Sequence, residues 1–234
     1  MTEALRGDGR RPDGPGRREE SGFAGPALVM LDCDGVLFDS WEANVGFYDA
    51  ILAQLGLPLL DEDGRELAHR WSSAQLLAHF FAHDPDTHHR ANEIARLMDY
   101  APFLPLMRPV RELRETLGWL HARGKTAMVT NRGATIPEVL SHFDLGSYFD
   151  AVVGVHDAPR PKPAPDMLHV CLERLGFRPE DAVYVGDSPG DAAAAHAAGV
   201  PFIGVGGDVE SDHPIAELHE LRPLLERGFP TVAR

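Results

Sequence analysis

Four short segments of the chain carry residue types that could do chemistry together. The first is Asp32-Cys33-Asp34-Gly35, two carboxylates on alternate residues. The second is Thr130-Asn131, which offers a hydroxyl and backbone N–H groups. The third is Lys162, in the proline-rich stretch 159–165. The fourth is Gly186-Asp187-Ser188-Pro189-Gly190-Asp191. Carboxylates brought close together raise one another's pKa or require a cation. Asp32, Asp34, Asp187 and Asp191 offer only oxygen ligands, which selects a hard ion. Mg²⁺ is the usual choice where phosphate is also bound. Lys162 adds a second positive charge, and Thr130 and nearby N–H groups can hold anionic oxygens. With the repulsion offset in this way, a carboxylate can attack phosphorus and form an aspartyl-phosphate.

These residues must be delivered to one place. Continuous apolar runs at 27–31, 126–130 and 182–185 lead into the first, second and fourth segments, and similar runs occur at 151–155 and 201–205. Runs of this length without alternation suit strands buried on both faces of a parallel sheet. Helical segments separate the later runs. Residues 111–123 place Leu113, Leu117 and Leu120 at helical spacing, with Gly124 as a stop. Residues 165–175 end at Gly176, and 189–198 end at Gly199. The alternation predicts an α/β fold, a Rossmann-like doubly wound parallel sheet with right-handed crossovers. In such sheets ligands bind beyond the carboxyl ends of the strands, where these segments fall.

One interval breaks the rhythm. About seventy residues without a strand signal separate the first run from the helix at Arg111. Val45, Tyr48, Ile51, Leu52 and Leu55 lie at helical spacing, and Asp39 or Ser40 can cap that helix. Leu67, Trp71, Leu76, Leu77 and Phe80 suggest a second helix or a helix pair, and Ile94, Leu97 and Met98 a third. A helical block inserted beside the acidic cluster reads as a lid. The expected division is a disordered tail at 1–25, an α/β catalytic core at 26–39 and 107–234, and an α-helical cap at 40–106. The tail is rich in Gly, Pro, Arg and Glu, with little apolar surface to offset ordering entropy. A twin-arginine signal at Arg10-Arg11 or Arg17-Arg18 is disfavoured, because Asp32 and Asp34 break the apolar stretch that follows.

A chain of 234 residues allows one domain, or a core with one small inserted module. An apolar fraction of 44% and a charged fraction of 25% place its bulk among globular proteins. No apolar run approaches the ~18–20 residues that cross a bilayer, so no membrane partner is expected. The net charge of −14 repels phosphate backbones, which argues against nucleic acid as a partner. Any anionic substrate must then be held by a local device. Cys33 and Cys171 are the only cysteines, which excludes a disulfide framework and a Cys-rich zinc site. A reduced, cytoplasmic setting fits.

In this order the segments resemble the motifs of the haloacid dehalogenase superfamily. The resemblance rests on Asp32-x-Asp34-Gly35-Val36-Leu37-Phe38-Asp39-Ser40, Val129-Thr130-Asn131, Lys162-Pro163-Ala164-Pro165-Asp166 and Val185-Gly186-Asp187-Ser188-x-x-Asp191. It spans about residues 27–206. It implies that Asp32 is a nucleophile and metal ligand. It implies that Asp34 is a general acid/base whose backbone carbonyl also binds the metal. Thr130 and the Asn131 backbone would hold phosphate oxygens, and Lys162 would bridge nucleophile and phosphate. Asp187 would be a metal ligand, and Asp191 would hold the metal's waters or Lys162. The insert is similar to the small helical cap of the phosphoglycolate-phosphatase-like branch, although Arg132 stands where a lysine is usual. An acid/base aspartate at Asp34 argues for phosphoryl chemistry over dehalogenation. The interval 39–108 has no lysine, which disfavours phosphonate hydrolysis through a Schiff base.

The resulting expectation is a Mg²⁺-dependent phosphatase acting on a small phosphorylated metabolite, phosphoglycolate-like or a sugar phosphate, as a monomer or homodimer. A sugar-phosphate mutase and a catalytically silent phosphate-binding regulator remain alternatives. Strand alternation turns Cys33 away from the aspartates. Asp39 and Ser40 are expected to cap a helix, and Trp71, Phe80 and Phe81 to fill the cap core. His79, His83, Asp84, Asp86, His88 and His89 are expected on a solvated face and not around a metal. Arg65, His69, Arg70 and Trp71 are the candidates for specificity.

Overall fold

The computed structural model describes residues 25–207 and 209–228, so the tail expected at 1–25 lies almost wholly outside the described residues. The described residues open on β1 (Leu28–Leu31) and the two-residue strand β2 (Phe38–Asp39). Four helices follow: α1 (Trp41–Leu55), α2 (Glu62–Arg70), α3 (Ser73–Phe80) and α4 (Pro85–Leu97). Then come β3 (Arg108–Pro109), α5 (Leu113–His121), β4 (Lys125–Val129), α6 (Ile136–His142) and β5 (Ala151–Val153). The chain continues through α7 (Asp166–Leu175), β6 (Ala182–Gly186), α8 (Pro189–Ala198), β7 (Phe202–Gly204) and α9 (Leu221–Glu226).

Five strands form one parallel sheet in the order β5-β4-β1-β6-β7. β1 lies at its centre and is buried along its whole length. Its side chains alternate between two cores. Leu28 and Met30 pack with Met167 and Leu168 of α7 and Ala194 and Ala195 of α8. Val29 and Leu31 pack with Leu117 of α5 and Leu221 of α9. This two-faced burial explains the unbroken apolar runs of the sequence.

Three details differ from the expectation. The interval after β1 does contain strand, since β2 and β3 pair antiparallel where the chain enters and leaves the helical insert. Strands of two residues carry no alternation to detect, and Pro109 offers no N–H. The crossover from β4 to β5 contains α6, whose two turns leave little periodicity beyond buried Ile136 and Val139. Gly124 does not end α5 in a left-handed turn, since its φ is not positive. A side chain there would come within 2.9 Å of the Ala27 carbonyl, beside the Lys125 N–H that bonds to the same oxygen.

Candidate active site

The loops after β1, β4, β5 and β6 bring the four segments to one edge of the sheet. Asp32 directly follows β1, and Cys33 is buried with Val29 and Leu31 on the opposite face, as alternation requires. The chain then turns at Gly35, whose φ is 73°. A side chain on Gly35 would collide with the carboxylate of Asp187. Glycine is needed here both for the left-handed backbone and for the approach of Asp187.

Lys162 joins the segments. Its Nζ donates to Asp191 Oδ1 at 2.6 Å and to the Tyr184 hydroxyl at 2.8 Å, and it lies 3.0 Å from Asp32 Oδ1. Asn131 fixes the lysine loop, with Oδ1 accepting from the Lys162 N–H at 3.0 Å and Nδ2 donating to the Lys162 carbonyl at 3.2 Å. Its side chain is thus committed, and its backbone is left for any oxyanion. Thr130 is buried, with Oγ1 accepting from the Arg132 N–H at 3.2 Å. Asp191 also forms a reciprocal capping pair with Ser188 at the start of α8. Capping and lysine binding therefore coexist in one carboxylate. Tyr184, on β6, was not among the sequence candidates; an aromatic in a buried strand reads as core until its hydroxyl is located.

Ligand oxygens of Asp32, Asp187 and Asp191 lie within 4.8 Å of one another. Burial, followed by the charges of Asp32 and Asp191, pushes Asp187 up to about 8. Burial also raises Asp32, and Lys162 only partly offsets it. Burial disfavours the charge on Lys162, but Asp191 and Asp32 outweigh it and hold the lysine above its usual range. Burial likewise opposes charge on Asp191, yet Lys162, Ser188 and Tyr184 keep that carboxyl low. The lysine is therefore spent mainly on Asp191, and the oxygens of Asp32 and Asp187 remain under-compensated. That donor set fits a hard divalent cation.

Asp34 stands apart from this group. Its side chain takes a forked pair from Arg132, Nε to Oδ2 at 2.7 Å and Nη2 to Oδ1 at 2.6 Å. Ser40 Oγ also donates to Asp34 Oδ1. Ser40 occupies the N-cap position of α1, yet its side chain makes no capping bond because it is turned onto Asp34. The expected cap is thus an active-edge residue. Asp39 meets the cap expectation only loosely, with Oδ1 accepting from the Trp41 N–H at 3.3 Å.

A cavity of about 900 Å³ lies over this edge and reaches into the insert. Asp32, Asp34, Thr130, Asn131, Arg132, Lys162 and Asp187 line its core side, and Asn44, Tyr48, Trp71, Gln75, Arg96 and Tyr100 are among its lining from the insert. Of the expected specificity residues, Trp71 reaches the cavity and is 37% exposed, so it is no core filler. Arg65 turns away to Asp49 at 3.8 Å. The side chains of His69 and Arg70 lie outside the described set. Phe81 is buried and Phe80 packs on the core, as expected. Among the described residues no histidine joins a metal-ligating group; His79 instead stacks edge-on against Trp71. Asn44 and Tyr100 escaped the sequence reading, because Asn44 falls on the helical pattern of α1 and Tyr100 in the irregular stretch after α4, and neither says anything about a distant loop.

Residues 29–205 match the family model described as haloacid dehalogenase-like hydrolase. A phosphoglycolate phosphatase of Pseudomonas putida is 32% identical over 217 residues, 86% of this chain and 79% of that protein. Among solved structures, a HAD-superfamily hydrolase of subfamily IA from Geobacter sulfurreducens is 36% identical with a TM-score of 0.70, covering 88% of this chain and all of that one. CbbY from Rhodobacter sphaeroides, solved in complex with phosphate, shares the fold at 22% identity and a TM-score of 0.71, covering 84% of this chain and 96% of that one.

Proposed function

The chain belongs to the haloacid dehalogenase-like hydrolases, and from that membership we propose that it is a Mg²⁺-dependent phosphatase for a small phosphomonoester. The observation that carries the reading is Lys162 Nζ, 3.0 Å from Asp32 Oδ1 and 2.6 Å from Asp191 Oδ1, at the floor of a cavity. A buried carboxylate beside a fixed ammonium suits a nucleophile that must meet an anionic ester. The named relatives that are phosphoglycolate phosphatases support a phosphate ester as the substrate.

Asp32 and Asp187, with the backbone carbonyl of Asp34, would hold Mg²⁺, and Asp191 would stand behind them. When bound, the ion neutralises the carboxylates and the phosphoryl oxygens. Lys162, the Thr130 hydroxyl and the Asn131 N–H orient the phosphoryl group. An oxygen of Asp32 attacks phosphorus as the ester P–O bond breaks, and Asp34 protonates the departing oxygen. Asp34 then takes a proton from the water that attacks the aspartyl-phosphate. Inorganic phosphate leaves and the Asp32 carboxylate is restored. Residues 40–106 act as a cap that excludes bulk water from the first step.

The test is a phosphate-release screen over phosphorylated metabolites with Mg²⁺ present. Turnover of phosphoglycolate-like or sugar-phosphate esters is expected. A protein that binds phosphate yet releases none, even from p-nitrophenyl phosphate, is a silent binder and the reading fails.

A further inference from the structure

Arg132 is a buried cation on the cavity wall, and Asp34 is the carboxylate on its guanidinium. Its other contacts are neutral: the Asn44 amide oxygen at 3.2 Å and the Tyr100 ring, whose centroid lies 5.1 Å away. Asp34 meanwhile accepts from Arg132 on both oxygens and from Ser40 on one. A carboxylate so occupied reaches a leaving oxygen only by giving up an arginine N–H. Giving it up strips a buried guanidinium of its counterion, which is strongly unfavourable. Both demands are met if the substrate brings an anion of its own.

We propose that Arg132 selects phosphomonoesters whose leaving group carries a second anionic group, a carboxylate or another phosphate. That group replaces Asp34 on the guanidinium and frees Asp34 for proton transfer. The inference rests on the phosphatase reading and deepens it. The planar fork of arginine matches carboxylate and phosphate oxygens alike. Asn44 and Tyr100, both from the helical insert, hold the guanidinium in place while its anionic partner changes. The competing basic groups are less suited. Lys162 is committed to Asp32 and Asp191. Arg96 lines the cavity, but its side chain is 68% exposed, with Glu93 3.9 Å away.

The test compares kcat/KM within two substrate pairs: phosphoglycolate against 2-hydroxyethyl phosphate, and glucose 1,6-bisphosphate against glucose 6-phosphate. The expected result is a preference of about a hundredfold for the doubly anionic member of at least one pair, the scale of a buried charge pair. The pair that shows it identifies carboxylate or phosphate as the group. Arg132→Gln should bring that ratio to within about threefold, while Arg132→Lys should keep roughly a tenth of the preference, retaining charge without the fork. A ratio is insensitive to a general loss of folded protein. Should the glutamine variant not fold, the lysine variant and the wild-type ratio decide. Wild-type turnover with no anion preference, or a preference that survives Arg132→Gln, overturns the inference. Failure of the wild type to hydrolyse even p-nitrophenyl phosphate overturns the phosphatase reading and the inference with it.

Discussion

At the scale of single residues, Asp32 and Asp34 are two positions apart yet face different partners, Lys162 for one and Arg132 with Ser40 for the other. Their substitutions should therefore fail differently. On the proposed mechanism, Asp32→Asn removes the nucleophile and should leave no phosphoenzyme. Asp34→Asn keeps the nucleophile but loses proton transfer in both steps, each slowed by ~10²–10⁴-fold. With p-nitrophenyl phosphate the first step needs no proton, so Asp34→Asn should show a burst of about one equivalent and trap phosphate, roughly +80 Da by intact mass. Phosphate mapping anywhere but Asp32 sinks the mechanism. The raised carboxyl of Asp187 gives a second prediction. Its folded pKa of about 8 exceeds its ordinary value of 3.8, so between those values the folded state binds more protons than the unfolded one. Metal-free stability from this group is thus present at low pH and declines as pH rises toward 8. A divalent ion competes with that proton, so its affinity should rise by up to about tenfold per pH unit between 6 and 8. Calorimetry should show a metal-free Tm that falls over this range and a Mg²⁺-induced rise in Tm that is larger at pH 8.5 than at pH 6. A Mg²⁺ shift independent of pH would contradict the placement of the ion on Asp187.

At the scale of elements, the turn at Gly35 decides whether the β1 and β6 segments meet. Gly35→Ala has two costs: a left-handed backbone at φ 73°, and a methyl group driven into the Asp187 carboxylate. The backbone term alone is ~1–2 kcal/mol. The displaced carboxylate should weaken Mg²⁺ binding by more than about tenfold, the range seen when metal-site supports are lost. Unchanged affinity by calorimetry would show that Asp187 is positioned by something else. The sequence could carry this turn only as Asp-Gly, a common turn dipeptide, since the carboxylate it must clear lies in the loop after β6, far along the chain. The same limit runs through the fold. The core strands are legible because burial on both faces leaves continuous apolar runs, as in Leu28–Leu31 and Ala182–Gly186. The strands at the mouth of the insert are not, because two residues carry no period. Ser40 looked like a cap because its position is a cap position; its rotation onto Asp34 is a tertiary effect. Asp32, Lys162 and Asp191 were legible as a set, but the pairing of Arg132 with Asp34 was not, because arginine in a loop is ordinarily solvated.

At the scale of the whole molecule, the charge of −14 and the site work in opposite directions on the two ligands. An anionic ester approaches a protein that repels it, and a divalent cation approaches one that attracts it. The ion is therefore expected to be the ligand that makes the edge of the sheet receptive to phosphate. Removing it with EDTA should abolish phosphate release, and Mg²⁺ should restore it. Ca²⁺ should inhibit, because its larger and looser coordination shell would move the Asp32 oxygen out of line with phosphorus. On the proposed reading, the attraction to Mg²⁺ would have a diffuse part from surface carboxylates and a local part from Asp32, Asp187 and Asp191. Salt screens the diffuse part, since the Debye length falls from ~30 Å at 0.01 M to ~8 Å at 0.15 M ionic strength. The local part, with ligand oxygens within 4.8 Å of one another, is screened much less. Raising NaCl from 10 to 150 mM should therefore weaken the activating Mg²⁺ constant by a few-fold, and further salt should change it little. A constant that keeps falling with salt would place the ion on the acidic surface and not at the sheet edge. Full activity in EDTA would remove it from the reaction and leave Lys162 as the cation that faces the substrate.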